Sequence, residues 1–354
     1  MTVAAVEEAS DLLGALLGEG LRRDVPLAPM TTYRVGGSAA MFVDVRSLTD
    51  LVAVAHVRAR TGVPVLVVGR GSNMLVADDG FAGIAVTIAG FADHIDLPDP
   101  VERANDEPGT PLVVGAGGGV ALPVLARRTA AAGIRGFEWA VGVPGSVGGA
   151  VRMNAGGHGS DMAGSLVDVR IFDMDDPGGG LVTLAAERIG LRFRASDLAP
   201  AHIVHDVRLR LTAGDRTAAE AEIGAVVKWR REHQPGGQNC GSVFVNPVPG
   251  EVTAGGLIDG LGLRGFSIGT AFVSEKHANF VQAGDGGRAA DVRAVIEHVR
   301  DVVARETGYR LRSEVRLVGF DDADPLSFDD TGRIDDTGRI DGTGRNDGTG
   351  GTDA

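Results

Sequence analysis

The decapeptide "QNCGSVFVNP", residues 238–247, places a hydroxyl after a glycine and ahead of an apolar run, two positions beyond the chain's single cysteine. Ser242 has three readings: nucleophile, proton donor or turn residue. A serine-hydrolase elbow needs G-x-S-x-G on a strained strand-to-helix turn, whereas Val243, Phe244 and Val245 follow here and read as a strand. On its own the pattern favours a turn or cap serine.

Two glycine-rich stretches suggest a second kind of chemistry. "VLVVGRGSNMLVADDG" sets Gly69, Gly71, Ser72 and Asn73 behind a strand. A dinucleotide fingerprint needs a third glycine three positions after the second, with a helix behind it. Met74 occupies that slot, and "LVADDG" reads as strand and turn. What remains is a turn whose consecutive backbone N–H groups can cradle an anion, with Ser72 and Asn73 adding side-chain donors. The stretch 136–159, "GFEWAVGVPGSVGGAVRMNAGGHG", repeats the theme with Gly142, Pro144, Gly145, Ser146, Gly148 and Gly149. Together two such loops, with few charged neighbours, suit a dinucleotide pyrophosphate held by backbone. Taken singly, tight packing explains either loop better.

The charged candidates are Arg194 in "GLRFRASDL" and Glu314 in "RSEVRLVG". In isolation Arg194 is a surface arginine. Glu314 alternates with Arg310, Arg312 and Arg316, which describes a solvated charge ladder or an acid in a pocket for an anionic substrate. Lys276 is one of two lysines, the other being Lys228, among 34 basic residues. It can meet phosphates as a point charge. His277 beside it reads as a core histidine. No His-x3-His or acidic-His spacing supports a metal site.

Composition narrows the field. The formal net charge of −13 disfavours nucleic-acid binding through an extended basic surface. One cysteine excludes an intrachain disulfide and suits a reducing cytoplasm. The N-terminal segment carries acids early, which makes it a poor signal peptide. No apolar run reaches about 18 residues, so a membrane span is not expected. The 54 glycines mean that many positions need positive φ or close backbone approach.

The elements that must position these residues alternate. Leu12, Leu13, Leu16 and Leu17 have helical spacing; "AAMFVDV", "VPVLVVG", "GIAVTIAG" and "PLVVGAGGGV" are strand-like. "SLTDLVAVAHVRARTG" predicts a helix capped by Ser47 or Thr49 and ending near Gly62. "SLVDVRIFDM" and "HIVHDVRLRLT" continue the strands, and "RTAAEAEIGAVVKWRREHQP" predicts a helix stopped by Pro235. A further helix, 289–308, sets Val292, Val295, Ile296, Val299 and Val303 on one face, with Gly308 as C-cap. "YRLRSEVRLVGF" predicts a closing strand. The alternation implies an α/β or α+β architecture. From about 321 a six-residue repeat, "DDTGRIDDTGRIDGTGRNDGTG", is predicted to be disordered, because it has almost no core residues.

Six motifs occur in an order that resembles the UDP-N-acetylenolpyruvoylglucosamine reductase (UDP-N-acetylmuramate dehydrogenase) family. They are "MTTYRVGG" (30–37), "VGRGSNMLV" (68–76), "GVPGSVGGAVRMNAGGHG" (142–159), "GSVFVNP" (241–247), "VSEKHANF" (273–280) and "SEVRLVG" (313–319). The resemblance implies an α+β fold with two FAD-binding lobes of the vanillyl-alcohol-oxidase type and a C-terminal α+β substrate-binding domain. The implied bounds are 1–85 with the closing strand 309–319, then 86–213, then 214–308, with 320–354 as the low-complexity tail. It implies noncovalent FAD held by both glycine stretches together with Thr31, Arg34 and Gly36. NADPH and UDP-N-acetylglucosamine enolpyruvate are the implied small-molecule partners, with no nucleic acid and no membrane, in the cytoplasm and in cell-wall synthesis that serves cell shape, the cell cycle and division.

The implied reaction reduces an enolpyruvyl ether to a lactyl ether, with hydride passing from NADPH by way of the flavin N5 to the enolpyruvyl methylene. Charge then builds on the adjacent carbon and spreads into the substrate carboxylate, which calls for cations or donors there and for an acid at the carbon. Arg194, Ser242 and Glu314 match the family's catalytic positions, with Phe193 replacing the commoner tyrosine before the arginine. Asn246 matches a substrate-contacting asparagine. The 47 residues between Arg194 and Ser242 contain no tyrosine, so the chain resembles the shorter type without an inserted tyrosine loop. The rival readings are a flavin oxidase or dehydrogenase acting on another sugar or hydroxy acid, and a non-catalytic flavin-binding scaffold.

Overall fold

A computed structural model describes residues 2–101, 103 and 106–320; the repeat expected to be disordered, from 321 onward, lies outside the described residues. The chain divides into two compact units. The first comprises 1–32, 37–72 and 79–233, and the second 33–36, 73–78 and 234 onward. Both contain helices and strands, which bears out the α+β expectation.

The first unit opens with helix α1, Val3–Leu17, whose Thr2 hydroxyl caps Ala5 N–H. Its Ala9 and Leu13 are buried, while Leu16 of the predicted apolar spacing is exposed. Helix α2, Leu48–Thr61, is capped by Ser47 rather than Thr49 and ends on Gly62 in the left-handed conformation. Both helices pack on a four-stranded sheet in the order Leu21–Pro26, Ser38–Asp44, Phe81–Thr87, Val65–Val67. The first pair is antiparallel and the others parallel.

A larger antiparallel sheet runs Leu181–Ala185, Leu166–Asp173, His202–Ala213, Pro111–Gly117, Ile95–Asp96. Phe172 and Ile203 from this sheet enter the core of the first one, so the two share buried surface. Helices α3 (Leu122–Ala131) and α4 (Val147–Arg152) pack on the larger sheet.

Helix α5, Arg216–His233, lies beyond the 213/214 boundary that the resemblance implied. It belongs to the first unit, and its Val226 enters the core formed by Ile134, Phe137 and Trp139. Only Gly214 and Asp215 link it to the strand His202–Ala213, so its apolar face folds back on the sheet it has just left.

The second unit has a three-stranded antiparallel sheet (Ser267–Ile268, Ala271–Val273, Val281–Ala283) and a parallel pair, Met74–Val76 with Arg316–Val318. Helix α6 is Ala254–Gly260, and α7, Ala289–Thr307, buries the five predicted apolar residues and ends on Gly308 at φ +78°. The closing strand is shorter than predicted, because only Arg316–Val318 finds a ladder partner. Val243–Val245 is likewise not a ladder strand; Phe244 forms an isolated bridge with Ser313. Among the described residues, no helix is long and apolar enough to cross a membrane.

Gly36 shows how closely these segments approach. Its φ is +103°, and a Cβ there would run into the Val76 carbonyl. Both the backbone angle and the contact demand glycine. Gly36→Ala is expected to cost about 1–3 kcal/mol in urea unfolding; an unchanged midpoint would show that residues 33–36 can retreat from the strand.

Candidate active site

The two glycine stretches meet within the first unit. Gly69 faces Ser146 so closely that a Cβ would run into the Ser146 Oγ, and a Cβ on Gly145 would lie 3.5 Å from Ser72 Oγ. Gly71, at φ +55°, lets the same turn approach 30–32: a Cβ would lie 2.7 Å from Thr31 Cα, and its carbonyl accepts the Thr32 N–H at 3.2 Å. Thr31, Gly69, Gly71, Ser72, Gly145 and Ser146 are thereby brought together. Pro144 is exposed beside them, and Gly142 sits against His158 and Val226.

The second stretch is not a loop throughout. Ser146 caps α4 by accepting the Gly149 N–H at 3.3 Å, and Gly148 donates to the Gly118 carbonyl at 2.8 Å. The amides of Gly148 and Gly149 are therefore committed inside the protein. The turn Gly69–Asn73 differs, since among the described residues no main-chain acceptor meets its N–H groups. A glycine turn with uncommitted amides, flanked by Ser72 and by the 143–146 segment, fits the backbone-donor chemistry that a dinucleotide pyrophosphate requires.

Arg34, Gly36 and Asn73 lie in the second unit. Arg34 is exposed at φ +54°. Asn73 holds the fold together, since its Nδ2 donates to the Glu314 carbonyl at 2.8 Å. Its own carbonyl accepts the Arg316 N–H at 3.0 Å.

Arg194 sits at φ +56°, a conformation that costs a non-glycine residue about 1–3 kcal/mol. The 192–195 turn closes through paired bonds between Arg192 and Ala195. Asn154 holds it: the buried amide donates to the Arg192 carbonyl at 3.2 Å and to Asp161 at 3.1 Å, and its oxygen accepts the Ala163 N–H. Ser196 donates to the Arg152 carbonyl. Arg194 in turn donates to the Gly156 carbonyl at 3.2 Å, and its guanidinium lies 5.3 Å from the Phe193 ring centre. The ordinary surface-arginine reading does not account for such a held, strained backbone.

In the second unit, Ser242 and Glu314 lie on neighbouring segments. The Glu314 N–H donates to the Val243 carbonyl at 2.7 Å, and Val245 N–H donates to the Arg312 carbonyl. Ser242 is half-buried, and its hydroxyl makes no hydrogen bond among the described residues. A cap or turn serine would spend that oxygen on a nearby N–H. Burial lowers the pKa of Arg312, and the Glu314 carboxylate opposes the shift.

Cys240 is buried among Tyr33, Val243 and Phe244. Burial pushes its thiol up to about 12; Tyr33 opposes this and the Glu314 charge adds to it. The thiol thus stays protonated at neutral pH and offers no thiolate nucleophile. Asn246 is exposed, with its oxygen accepting the Ala254 N–H at the start of α6. Lys276 is exposed in the 274–280 loop. His277, in the same loop, is half-buried; its Nδ1 accepts the Asn279 N–H at 3.2 Å, and burial, then Arg264, lowers its pKa. Among the described residues no cluster of three or more His, Cys, Asp or Glu could hold a metal ion.

Sequence reasoning missed Asn154 and Asn279. Both stand inside the six motifs, but nothing in their local pattern shows that each would spend its amide on a distant backbone.

Known proteins resemble the chain over nearly all of this architecture. Residues 39–175 match the FAD binding domain, and residues 233–318 match the UDP-N-acetylenolpyruvoylglucosamine reductase C-terminal domain. The UDP-N-acetylenolpyruvoylglucosamine reductase of Synechococcus sp. (strain RCC307) is 39% identical over 302 residues, which are 84% of this chain and 94% of that protein. The protein of the same name from Heliobacterium modesticaldum is 41% identical over 297 residues, 83% of this chain and 89% of its own. The crystal structure of UDP-N-acetylenolpyruvylglucosamine reductase from Thermus caldophilus superposes with a TM-score of 0.70 at 31% identity, covering 84% of this chain and 99% of that one. With an FAD binding domain, a matching C-terminal domain and relatives aligned over almost their full length, the chain belongs to the UDP-N-acetylenolpyruvoylglucosamine reductase family of FAD-dependent oxidoreductases.

Proposed function

We propose that this chain reduces UDP-N-acetylglucosamine enolpyruvate to UDP-N-acetylmuramate, a step of peptidoglycan precursor synthesis in the cytoplasm, with NADPH as reductant and Ser242 as proton donor. Bound FAD supplies the hydride that the enolpyruvyl methylene receives. The chain's own residues orient the substrate, stabilise the charge that follows and deliver one proton.

The observation that carries the reading is Ser242 itself. Its hydroxyl is half-buried and uncommitted, and the segment behind it is bonded directly to Glu314 through the Val243 carbonyl. A proton donor needs such a hydroxyl, and Glu314 on the neighbouring segment completes the proposed catalytic set. Arg194 offers a fixed cation for the substrate carboxylate, into which charge spreads as the carbon accepts its proton. Its strained backbone supports that role, because strain of this kind persists where the surroundings hold a residue for function. Asn246 and Lys276 serve the UDP-sugar, Lys276 as a point charge for phosphate. Thr31, Gly69, Gly71, Ser72, Gly145 and Ser146 would hold FAD, with the turn amides as donors for its pyrophosphate.

Purified protein is expected to be yellow, with FAD released by denaturation. Gly69→Ala, whose added methyl would meet Ser146 Oγ, should weaken FAD binding about tenfold for each ~1.4 kcal/mol of displacement cost. Equilibrium dialysis measures this, and unaltered affinity would remove the turn from the FAD site.

For Ser242, the two half-reactions are separated by stopped-flow absorbance. Ser242→Ala should let NADPH reduce the flavin at nearly the parent rate, while reoxidation by the enolpyruvyl substrate slows by about 10² to 10⁴-fold. Ser242→Cys should keep part of the activity, since a thiol can still deliver a proton. An alanine variant that slows both halves alike, or neither, would return Ser242 to a shaping or turn role.

A further inference from the structure

We propose that Asn279 is a positioning residue for the proton-transfer step, acting through the backbone of Phe244 to hold Ser242 in register with the Glu314 segment; the inference rests on the assignment of Ser242 above. The segment that carries Ser242 is irregular, and its backbone groups cannot be satisfied by a continuous ladder. Asn279 takes the place of one. Its Oδ1 accepts the Phe244 N–H at 3.0 Å, and its Nδ2 donates to the Phe244 carbonyl at 2.8 Å. Its own carbonyl accepts the Val243 N–H at 2.9 Å.

A side-chain amide that bonds both polar groups of one residue imitates the edge of a neighbouring strand. Asn279 is 4% exposed and Phe244 1% exposed, so neither bond can be exchanged for water without cost. Leaving a buried donor or acceptor unpaired costs about 1–3 kcal/mol.

The opposite side of the same segment bonds to the 312–314 backbone through Val243 O and Val245 N. Asn73 then ties the Glu314 carbonyl at 2.8 Å. Val243 is therefore gripped from both sides, Phe244 from one and Val245 from the other, and Ser242 is the first residue beyond the grip. The Asn279 N–H is itself held by His277 Nδ1 at 3.2 Å, which fixes the asparagine before strand Val281–Ala283 begins. None of these bonds reaches a reacting atom. They decide where the Ser242 hydroxyl stands, and a misplacement of about 1 Å can cost 10²-fold in rate.

The experiment uses FAD-loaded full-length protein, reduced anaerobically with dithionite and mixed with UDP-N-acetylglucosamine enolpyruvate. Asn279→Ala should reoxidise about 10- to 100-fold more slowly, while its FAD content and its reduction by NADPH stay within about twofold of the parent, because positioning of Ser242 matters only to the step that needs the proton. Amide exchange over 241–246 should quicken in the same variant, a readout independent of turnover. In a Ser242→Ala background the added Asn279→Ala should cost less than about threefold, since residues acting as a unit are not additive.

Should the alanine variant fail to fold, Asn279→Asp, similar in size and still an acceptor for Phe244 N–H, serves for the same measurements. Normal reoxidation in the asparagine variant while Ser242→Ala is slow would overturn the positioning role alone. So would equal slowing of both half-reactions, full additivity in the double variant, or unchanged exchange over 241–246. Normal reoxidation in Ser242→Ala itself would overturn the proton-donor assignment, and the present inference with it.

Discussion

Backbone polar groups that leave water must find partners, and the segment around Ser242 meets that demand without a sheet. Val243, Phe244 and Val245 are buried yet belong to no ladder. The N–H and carbonyl of Val243 and Phe244, and the Val245 N–H, are met by the 312–314 backbone on one side and by Asn279 on the other. Because the bonds come from side chain as well as main chain, the segment can end its regular pairing just where Ser242 begins. The Ser242 hydroxyl, one residue before the gripped backbone, makes no hydrogen bond among the described residues, which is the property the proposed chemistry needs.

The same demand, solved with glycine, shapes the FAD-binding unit. Gly69, Gly71 and Gly118 allow main chain to approach where a Cβ would collide with another backbone or with Ser146. The approach has two outcomes that look alike in sequence. At Gly148 and Gly149 the amides turn inward and are spent on Gly118 and Ser146, so that part of the second stretch packs. At Gly69–Asn73 they meet no main-chain acceptor among the described residues, so the first stretch remains suited to an anion. Glycine content alone does not separate these cases; the direction of the N–H groups does.

Charge placement follows burial. Asp206, on the strand His202–Ala213, is nearly buried, and burial by itself would raise its carboxyl; hydrogen bonds from His205 and Arg170 outweigh that and bring it to about 2. It stays ionised and serves the sheet. Cys240 goes the other way: burial raises its thiol, the Tyr33 hydrogen bond opposes the shift, and the Glu314 charge reinforces it. The only thiol of the chain is thereby silent, and two residues later a serine carries the proposed proton.

Helices α1, α2, α5 and α7 were legible in the sequence because their signals are local: Ser47 and Gly62 bracket α2, and the 3.6-residue spacing of Val292, Val295, Ile296, Val299 and Val303 marks the buried face of α7. The order of six motifs was equally legible, and it carried the α+β fold, the FAD and the family. Which glycine amides face outward was not legible, nor that Arg194 would be held at φ +56° by Asn154, nor that α5 would return to the sheet it leaves. Those outcomes depend on partners far away in the chain: Asn73 meets Glu314 across 241 positions, and Asn279 meets Phe244 across 35. A one-dimensional pattern records which residues have hydrogen bonds to give; only the packed chain decides which of them are spent on the fold and which are left for a substrate.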